Sequence, residues 1–358
     1  MIAEQSKQDF LKFRILTEKE TKELFDPENP KCPFFGYVGN GEAVEAMLDI
    51  AYKSFEATHI DDDGKDITYR SCPRRIRLQG PPSTGKTTLA KMFAKLMKLP
   101  FVETEGTQLK NTEKLFSLLV SAYQKMGLSF EPVEHLNGVD RYEAPPAIIF
   151  IDEVHLTATK VLEALLKVTE SKDGLLLLEG KEVDCRQICF LLGTTGGGKL
   201  KSAFRTRFQP INLRRHTLKE VAKIVKLNNE KFSSAICMQI AELLPIPREA
   251  IRFSETVVDA AVRRGISLTQ AIELIRIREG IHEGGISQIG IAALKALADS
   301  EGLSKKNLCS IIGIEQEEWD NDVLPTLLTT ERHPAYVVVN SRHAITKEGH
   351  DFLKAVDN

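Results

Sequence analysis

Short apolar runs alternate with helix-like segments through the first two thirds of the chain. Three runs predict β-strands: RIRLQ (75–79), AIIFID (147–152) and ICFLLGTT (188–195). Apolar residues at helical spacing follow the first run, namely Leu89, Phe93, Leu96 and Met97. This alternation predicts an α/β domain built on a parallel sheet.

The last quarter of the chain has a different pattern. A helix candidate, EEWDNDVLPTLLTT (317–330), precedes a strand-like run (335–339), a polar turn (340–343) and the segment AIT (344–346). The two runs around the turn predict a β-hairpin. Helices followed by a hairpin indicate a winged helix, with Arg342 in the turn.

A glycine-rich loop separates the first predicted strand from its helix. The loop reads GPPSTGKT, from Gly80 to Thr87. This strand–loop–helix context is that of a P-loop, in which glycines let backbone N–H groups converge on phosphate oxygens. We expect Lys86 to reach the β- and γ-phosphates of ATP and the Thr87 hydroxyl to ligate Mg²⁺.

Polar residues follow the other two predicted strands. Asp152 is placed to support the magnesium shell, and Glu153 to activate water as a general base. Thr194 and Thr195 end the third strand, where a hydroxyl can contact the γ-phosphate or position the water. We assign no more than a helix-capping or orienting role to His155.

Two arginines in the stretch FRTRF, Arg205 and Arg207, raise a separate question. They follow the third strand, away from the P-loop of their own chain. An arginine supplied to a neighbouring copy stabilises the charge on a transferring phosphoryl group. That role requires a ring or a filament, whereas the alternative is a pair of surface charges. Arg248, at a helix start after two prolines, is a candidate sensor of the nucleotide or a surface charge.

Composition limits the function classes. The 358 residues give a mass of 40.0 kDa, which suits two or three domains, and the net charge of −2 gives no global attraction to nucleic acid. No apolar run approaches the ~20 residues of a membrane span, and the polar start lacks a signal-peptide core. Six cysteines without a CxxC pair predict reduced thiols in a cytoplasmic protein without membrane contacts.

Several motifs together resemble the AAA+ ATPases and, within them, the RuvB family of Holliday-junction branch-migration motors. GPPSTGKTTLA resembles that family's GPPGLGKTTLA, FIDEVH its FIDEIH, and GTTGGGKLKSAFRTRF its ATT…SPLRxRF stretch. The resemblance implies that Arg207 is the arginine finger, with Arg205 as runner-up, and that Thr195 or Thr194 is sensor 1. Arg248 in PIPR would be sensor 2. The implied nucleotide contacts are Tyr37, Val38, Gly80, Pro81, Pro82, Ser83, Thr84, Gly85, Lys86, Thr87, Thr88 and Arg248.

The resemblance also implies a domain plan. We expect an N-terminal extension (1–33), an α/β ATPase domain (34–214), a helical lid (215–284) and a winged helix (285–358). A homo-oligomeric, hexameric ring acting on DNA is implied, with Arg342 on the DNA. DNA contact would depend on few groups, because acidic residues outnumber basic ones across 285–358: the candidates are Arg332, Arg342, Lys347, Lys305 and Lys306.

Three segments depart from the family pattern. Residues 56–74 are predicted to form a polar surface hairpin or loop, and residues 123–146 lengthen the connection before Asp152. The segment 173–187 takes the place of the family's partner-docking hairpin but is several residues shorter. A protein partner is therefore expected but unidentified.

Competing functions remain open at this point. The leading one is an ATP-driven motor on duplex or branched DNA. The alternative is an ATP-dependent oligomeric switch or scaffold that recruits an effector in a phage, mobile-element or defence system. A third interpretation takes DEVH (152–155) as a DEAH-type helicase motif, but the chain lacks the QxxGRxxR-like stretch of such helicases.

Overall fold

The computed structural model describes residues 18–54, 57–60, 66–69, 75–125, 127, 129–144, 146–169, 174–195, 200, 202–282, 285–328 and 334–357. Contacts divide the chain into two compact units, Met1–Arg215 and His216–Asn358. No helix in the described part of the chain is long and apolar enough to cross a membrane.

The first unit contains eleven strands in its described part. They are β1 (Ala57–Ile60), β2 (Asp66–Tyr69), β3 (Arg75–Gln79), β4 (Phe101–Glu105), β5 (Glu134–Leu136), β6 (Val139–Glu143), β7 (Ala147–Asp152), β8 (Leu175–Leu178), β9 (Lys181–Asp184), β10 (Ile188–Thr194) and β11 (Gln209–Asn212). Its helices are α1 (Glu18–Leu24), α2 (Gly41–Lys53), α3 (Lys86–Met97), α4 (Thr112–Lys125), α5 (Thr159–Val168) and α6 (Ser202–Arg207), with 3-10 turns at Gly106–Gln108 and Val154–Leu156.

A five-stranded sheet in the order β11–β3–β10–β7–β4 forms the centre of this unit, and all its pairings are parallel. Successive residues of β7 face opposite sides. Ile149 and Ile151 belong to one apolar cluster, and Ile148 and Phe150 to another. Both faces are therefore covered, which explains why the central strands are continuous apolar runs. The predicted parallel α/β fold is confirmed.

The segments that depart from the family pattern form antiparallel pairs. Strands β1 and β2 make the hairpin expected in 56–74. The lengthened connection 123–146 is not irregular throughout, because it contains the hairpin β5–β6, which turns at Asn137-Gly138 with positive φ at both residues. Strand β6 pairs with β9 of the second hairpin, so that β5–β6–β9–β8 form one four-stranded sheet. The insertion and the shortened hairpin are thus one structural feature.

The second unit begins with four helices, α7 (Leu218–Asn228), α8 (Ser234–Leu243), α9 (Pro247–Arg264) and α10 (Leu268–Arg278). Capping boxes start two of them, with Thr217 and Glu220 on α7 and Ser267 and Gln270 on α10. These helices share one apolar core. These helices lie in the range predicted for the helical lid, whose role and limits stay a prediction.

The rest of the second unit has its own core around Trp319. Its elements are α11 (Gln288–Ala298), α12 (Lys305–Ile312), α13 (Gln316–Glu318), a π-helical turn (Trp319–Val323), α14 (Leu324–Leu327), β12 (Val337–Val339), β13 (His343–Ile345) and α15 (Lys347–Asp357). The antiparallel pair β12–β13 forms the expected hairpin, and Arg342 lies in its turn.

Candidate functional site

The loop after β3 is held close to the backbone that follows β11. A Cβ on Gly80 would lie 2.3 Å from the carbonyl oxygen of Leu213, so only glycine fits there. Gly85 has a φ of +89° and precedes the first residue of α3. The Lys86 ammonium is almost buried, and its Nζ donates to the carbonyl oxygens of Gly80 (2.9 Å) and Pro81 (3.0 Å). The ammonium therefore lies inside the curve of the loop, where an anionic phosphate chain would bind.

A carboxylate from β7 faces the same loop. The Thr87 Oγ1 lies 3.4 Å from Asp152 Oδ2. Gly193 on the neighbouring strand β10 makes room for this carboxylate, because a Cβ there would lie 2.5 Å from Asp152 Oδ1. Sequence reasoning gave Gly193 no role, although its place just before Thr194 in a fully buried strand was a usable signal.

The neighbouring Glu153 is held at the end of β10. Its Oε2 accepts hydrogen bonds from the Thr195 backbone N–H (3.1 Å) and the Thr195 hydroxyl (2.9 Å). The Glu153 backbone is left-handed, with φ 45°, which is uncommon for a residue with a side chain. A strained backbone at a candidate general base is the kind of position where strain serves function.

His155 belongs to this cluster, which suits the orienting role, one of the two roles expected for it. Its side chain is only 2% exposed, and its Nδ1 lies 3.2 Å from both Glu153 Oε2 and Thr194 Oγ1. The imidazole thus links the candidate base to the end of β10. The two threonines have different surroundings, since Thr194 faces His155 and Thr195 faces Glu153.

Tyr37 lies against the P-loop backbone. Its hydroxyl donates toward the carbonyl oxygens of Thr84 (3.3 Å) and Gly85 (3.4 Å), and burial raises the pKa of the phenol. A Cβ on Gly85 would lie 2.7 Å from that hydroxyl. Val38 beside it is buried. Contact of these two residues with adenine stays a prediction.

Asn40 makes a contact that sequence reasoning missed. The Arg214 N–H donates to Asn40 Oδ1 (2.7 Å), and the Asn40 amide donates to the carbonyl oxygens of Arg214 (3.2 Å) and Thr84 (3.5 Å). One buried side chain therefore ties the P-loop to the last residues of the first unit. Its adjacency to the Tyr37-Val38 segment was the only local signal.

The two arginines of FRTRF lie on helix α6. Phe204 and Phe208 anchor this helix in the core, with stacked rings whose centroids are 5.6 Å apart. Arg205 is exposed, whereas Arg207 is half-buried and its Nη1 donates to the carbonyl oxygen of Leu166 (3.0 Å). The structure therefore gives Arg207 a structural contact within its own chain and leaves Arg205 at the surface.

The remaining candidates are placed as follows. Arg248 is exposed in the first turn of α9, directly after Pro247. Arg342 is exposed in the turn between β12 and β13, and Lys305 pairs with Asp320 at 2.9 Å. Arg332 lies outside the described residues.

The rest of the P-loop fits the predicted cradle. Ser83 has a φ of +58°, and the Thr84 Oγ1 donates to the carbonyl oxygen of Pro81 (2.9 Å). Pro82 is half-buried, and the Thr88 side chain points to solvent on α3. The left-handed residues and the internal hydrogen bond fix the loop conformation that phosphate binding needs.

Comparison with known proteins agrees with this geometry. The family described as "ATPase family associated with various cellular activities (AAA)" matches residues 76–215. The subunit RuvB of the Holliday junction branch migration complex from Mycoplasma pneumoniae is 24% identical over 290 residues, which cover 78% of this chain and 86% of that protein. The corresponding Mycoplasma genitalium subunit is 24% identical over 339 residues, covering 90% and 97%.

A solved structure shares the fold. The Thermotoga maritima RuvB Holliday junction branch migration motor superimposes with a TM-score of 0.67 at 20% identity, covering 96% of this chain and 98% of that one. Together with the P-loop and the Asp152–Glu153 pair, the family match shows that the chain is an ATP hydrolase with an AAA domain, and the relatives support a place for it in the RuvB family of AAA+ ATPases.

Proposed function

We propose that this chain is an ATP-driven motor that acts on duplex or branched DNA. Copies of the chain assemble into a ring, which we expect to be hexameric, and hydrolyse ATP at the interfaces between them. The observation that carries this proposal is the arrangement of the first unit. Asp152, Glu153 and Thr195 converge at one edge of the sheet beside the P-loop, while Arg205 is exposed on a helix anchored elsewhere in the core.

Nucleotide and metal fit the residues present. Thr87 and Asp152 bring two oxygen atoms within 3.4 Å of each other, and oxygen atoms are the ligands that Mg²⁺ prefers. When bound, Mg²⁺ neutralises charge on the phosphates. Lys86 holds the β- and γ-phosphates, the loop from Gly80 to Gly85 supplies N–H donors, and Tyr37 and Val38 border the base.

Glu153 activates water in this mechanism. The two hydrogen bonds from Thr195 occupy Glu153 Oε2, so that this oxygen is not free to accept a proton from water. Movement of Thr195 away from Glu153 therefore frees this oxygen for hydrolysis. Because Thr195 directly follows β10, the strand next to β7, a contact of Thr194 or Thr195 with the γ-phosphate can control that movement.

Arg205 is the better candidate for an arginine that acts on the neighbouring copy. A guanidinium that crosses an interface must lie at the surface, and Arg205 does. Arg207 bonds to Leu166 of its own chain and fixes the helix that carries Arg205. We therefore favour the sequence runner-up over Arg207, and we assign Arg248 to sensing the nucleotide and moving the lid.

The DNA contact is assigned to the second unit. Arg342 is an exposed cation in a hairpin turn, which suits contact with a phosphate group. The names of the relatives, which are branch migration subunits, support DNA as the substrate.

The first test is steady-state ATP hydrolysis by the full chain alone, with linear duplex and with a four-way junction. The motor proposal expects stimulation by DNA, larger with the junction, and strand movement that is lost in Lys86→Ala. Arg342→Ala is the companion variant, because it should lower the stimulation and leave basal turnover unchanged. Turnover that responds to no DNA would overturn the motor proposal.

One observation favours a second candidate, an ATP-dependent switch that recruits an effector protein. The four-stranded sheet β5–β6–β9–β8 enlarges the region in which the family's partner hairpin is expected. Leu136 and Leu177 of this sheet are exposed, as is Val133 directly before β5. Such a surface suits a partner other than the one used by the family. A switch should assemble with ATP in Glu153→Gln and hold that assembly longer than the unaltered chain.

A further inference from the structure

Arg77 is a buried arginine in the centre of the parallel sheet. It lies in the middle of β3, beside Leu192 of β10 and Pro210 of β11. Its neighbours Ile76 and Leu78 face the cluster that contains α2 and α3. Arg77 therefore faces the opposite side, where Leu192, Phe204 and Phe208 form the other cluster. Only 5% of the residue is exposed.

Two of the three nitrogen atoms of the Arg77 guanidinium lack a hydrogen-bond partner. Its Nε and Nη1 are buried without an acceptor, and no ion pair to Arg77 occurs within the described ranges. An arginine stays protonated, so the charge cannot be removed by loss of a proton at ordinary pH. A buried and unpaired charge is strongly unfavourable, which indicates that an anion completes this position in the working protein.

A second arginine belongs to the same face of the sheet. Arg205 lies on helix α6, which packs on that face through Phe204, and burial, with a smaller contribution from the charge of Arg205, lowers the pKa of Arg77. The two cations repel each other. One carboxylate would neutralise only one of them, whereas a phosphate group carries about two negative charges at neutral pH. Guanidinium groups also match the oxygen geometry of phosphate through paired N–H donors.

We propose that Arg77 and Arg205 form a two-arginine site for a phosphate dianion, namely the terminal phosphate of the ATP held by the adjacent copy. This inference rests on the proposed interface role of Arg205. The sequence motif suggests a single arginine for the neighbour's phosphate, and the proposal adds Arg77, from the middle of β3, as a second cation. Arg77 would supply fixed positive charge beneath Arg205 and keep the mobile guanidinium directed outward.

Mixed assemblies test the site directly. Arg77→Met removes the charge and keeps an extended side chain. Alone, Arg77→Met should hydrolyse ATP at least about tenfold more slowly, as when one preorganised donor to an oxyanion is lost. Glu153→Gln should be inactive alone but retains both arginines. Mixing the slow variant with the inactive one should raise turnover above the sum of the separate samples, because a Glu153→Gln copy then supplies Arg77 to a neighbour with an intact base.

Matched controls separate this role from a structural one. Arg75→Met changes an arginine of the same strand and should leave turnover unchanged. Arg77→Lys keeps the charge without the fork and should recover part of the lost activity. The melting temperature of Arg77→Met should equal or exceed that of the unaltered chain, since an unpaired buried charge is removed. Full activity of Arg77→Met, or a loss that no mixture rescues, would overturn the proposal.

Two further comparisons identify the source of the anion and the level at which a failure occurs. One outcome would identify free phosphate as the ligand and exclude the neighbour's nucleotide. In that case inorganic phosphate raises the melting temperature of Lys86→Ala but not that of Lys86→Ala/Arg77→Met, and mixing Arg77→Met with Glu153→Gln gives no rescue. Arg205→Met mixed with Glu153→Gln tests the interface role itself. If this mixture shows rescue while Arg77→Met alone is fully active, the role of Arg77 is excluded and the role of Arg205 is kept. If neither the Arg205→Met mixture nor the Arg77→Met mixture shows rescue, the proposed interface mechanism is excluded.

Discussion

The Glu153 carboxylate is held by Thr195, whose hydroxyl and backbone N–H both donate to Glu153 Oε2, at 2.9 and 3.1 Å. The residue proposed to activate water is thus tethered to the end of the adjacent strand. Hydrolysis in the proposed mechanism depends on loosening this tether. The contact connects the end of β10, the candidate sensor of the nucleotide, with the proposed general base.

Thr195→Val should raise basal ATP hydrolysis. It removes the hydroxyl donor and keeps the shape, and a hydrogen bond to a charged group is worth ~1.5–3 kcal/mol, so a gain of about tenfold or more is expected. DNA should then stimulate the variant less than the unaltered chain. Thr195→Ser, which keeps the donor, is the control and should behave like the parent. A fall in basal turnover in Thr195→Val alone would mean that the hydroxyl acts on the nucleotide rather than as a tether.

Gly193→Ala should damage the magnesium-dependent part of nucleotide binding. The new Cβ would lie 2.5 Å from Asp152 Oδ1, so the carboxylate must move away from Thr87. We expect hydrolysis to be lost and the ATP affinity to depend less on Mg²⁺, with a stability cost of ~1–3 kcal/mol from overpacking. Isothermal titration with and without Mg²⁺ measures this. Gly41→Ala is the control, because a Cβ at Gly41 has no other atom within 4 Å, and it should leave the Mg²⁺ dependence and the stability unchanged. An unaltered Mg²⁺ dependence in Gly193→Ala would refute the role given to Asp152.

Arg205→Ala should abolish hydrolysis and keep ATP binding in the same chain. Arg207→Ala should instead lower the free energy of unfolding by ~1 kcal/mol or more, because it removes the donor to the Leu166 carbonyl oxygen. Turnover and thermal unfolding measured on both variants separate the two roles. The opposite result, with Arg207→Ala inactive but stable and Arg205→Ala fully active, would restore the assignment made from the sequence motif.

The sequence predicted the parts of the site that depend on local order. The P-loop and the Asp152–Glu153 pair follow predicted strands directly, so their position at the edge of the sheet follows from the chain pattern. The Asn40–Arg214 contact joins residues 174 positions apart, which no local pattern encodes. The pairing of β6 with β9 is missed for the same reason, since neither segment alone shows that two hairpins will share a sheet.

Asn40→Gly should weaken nucleotide binding and stability together. Asn40 has a φ of +49°, which glycine also adopts, so the change removes the side-chain hydrogen bonds to Arg214 and Thr84 without straining the backbone. Loss of these buried hydrogen bonds should cost ~1–3 kcal/mol, measured by urea unfolding, and should weaken ADP binding. Asn137→Gly is the matched control. It replaces a left-handed asparagine in an exposed turn and should change neither quantity. Equal effects of the two changes would show that Asn40 serves only the backbone conformation.

Trp319 donates from its indole N–H to His343 Nε2 at 3.2 Å, which requires an unprotonated nitrogen. Burial, with a smaller contribution from Lys305, lowers the pKa of His343 below its usual value of 6.5, although Asp320 opposes the shift. The unfolded state therefore binds more protons than the folded one as the pH falls below 6.5, so this contribution to stability is complete above that pH and is lost as the pH falls through the lowered pKa.

The expected result is that the second unit unfolds at lower urea concentration at pH 5 than at pH 7. Trp319 is the only tryptophan of the chain, so its fluorescence follows this unit selectively. His343→Phe removes the titrating group and should flatten the pH dependence, even though loss of the indole partner lowers stability at neutral pH. His350→Phe alters an exposed histidine of the same unit and should retain the full dependence on pH. If His343→Phe and the unaltered chain lose the same stability between pH 7 and pH 5, the dependence comes from other groups.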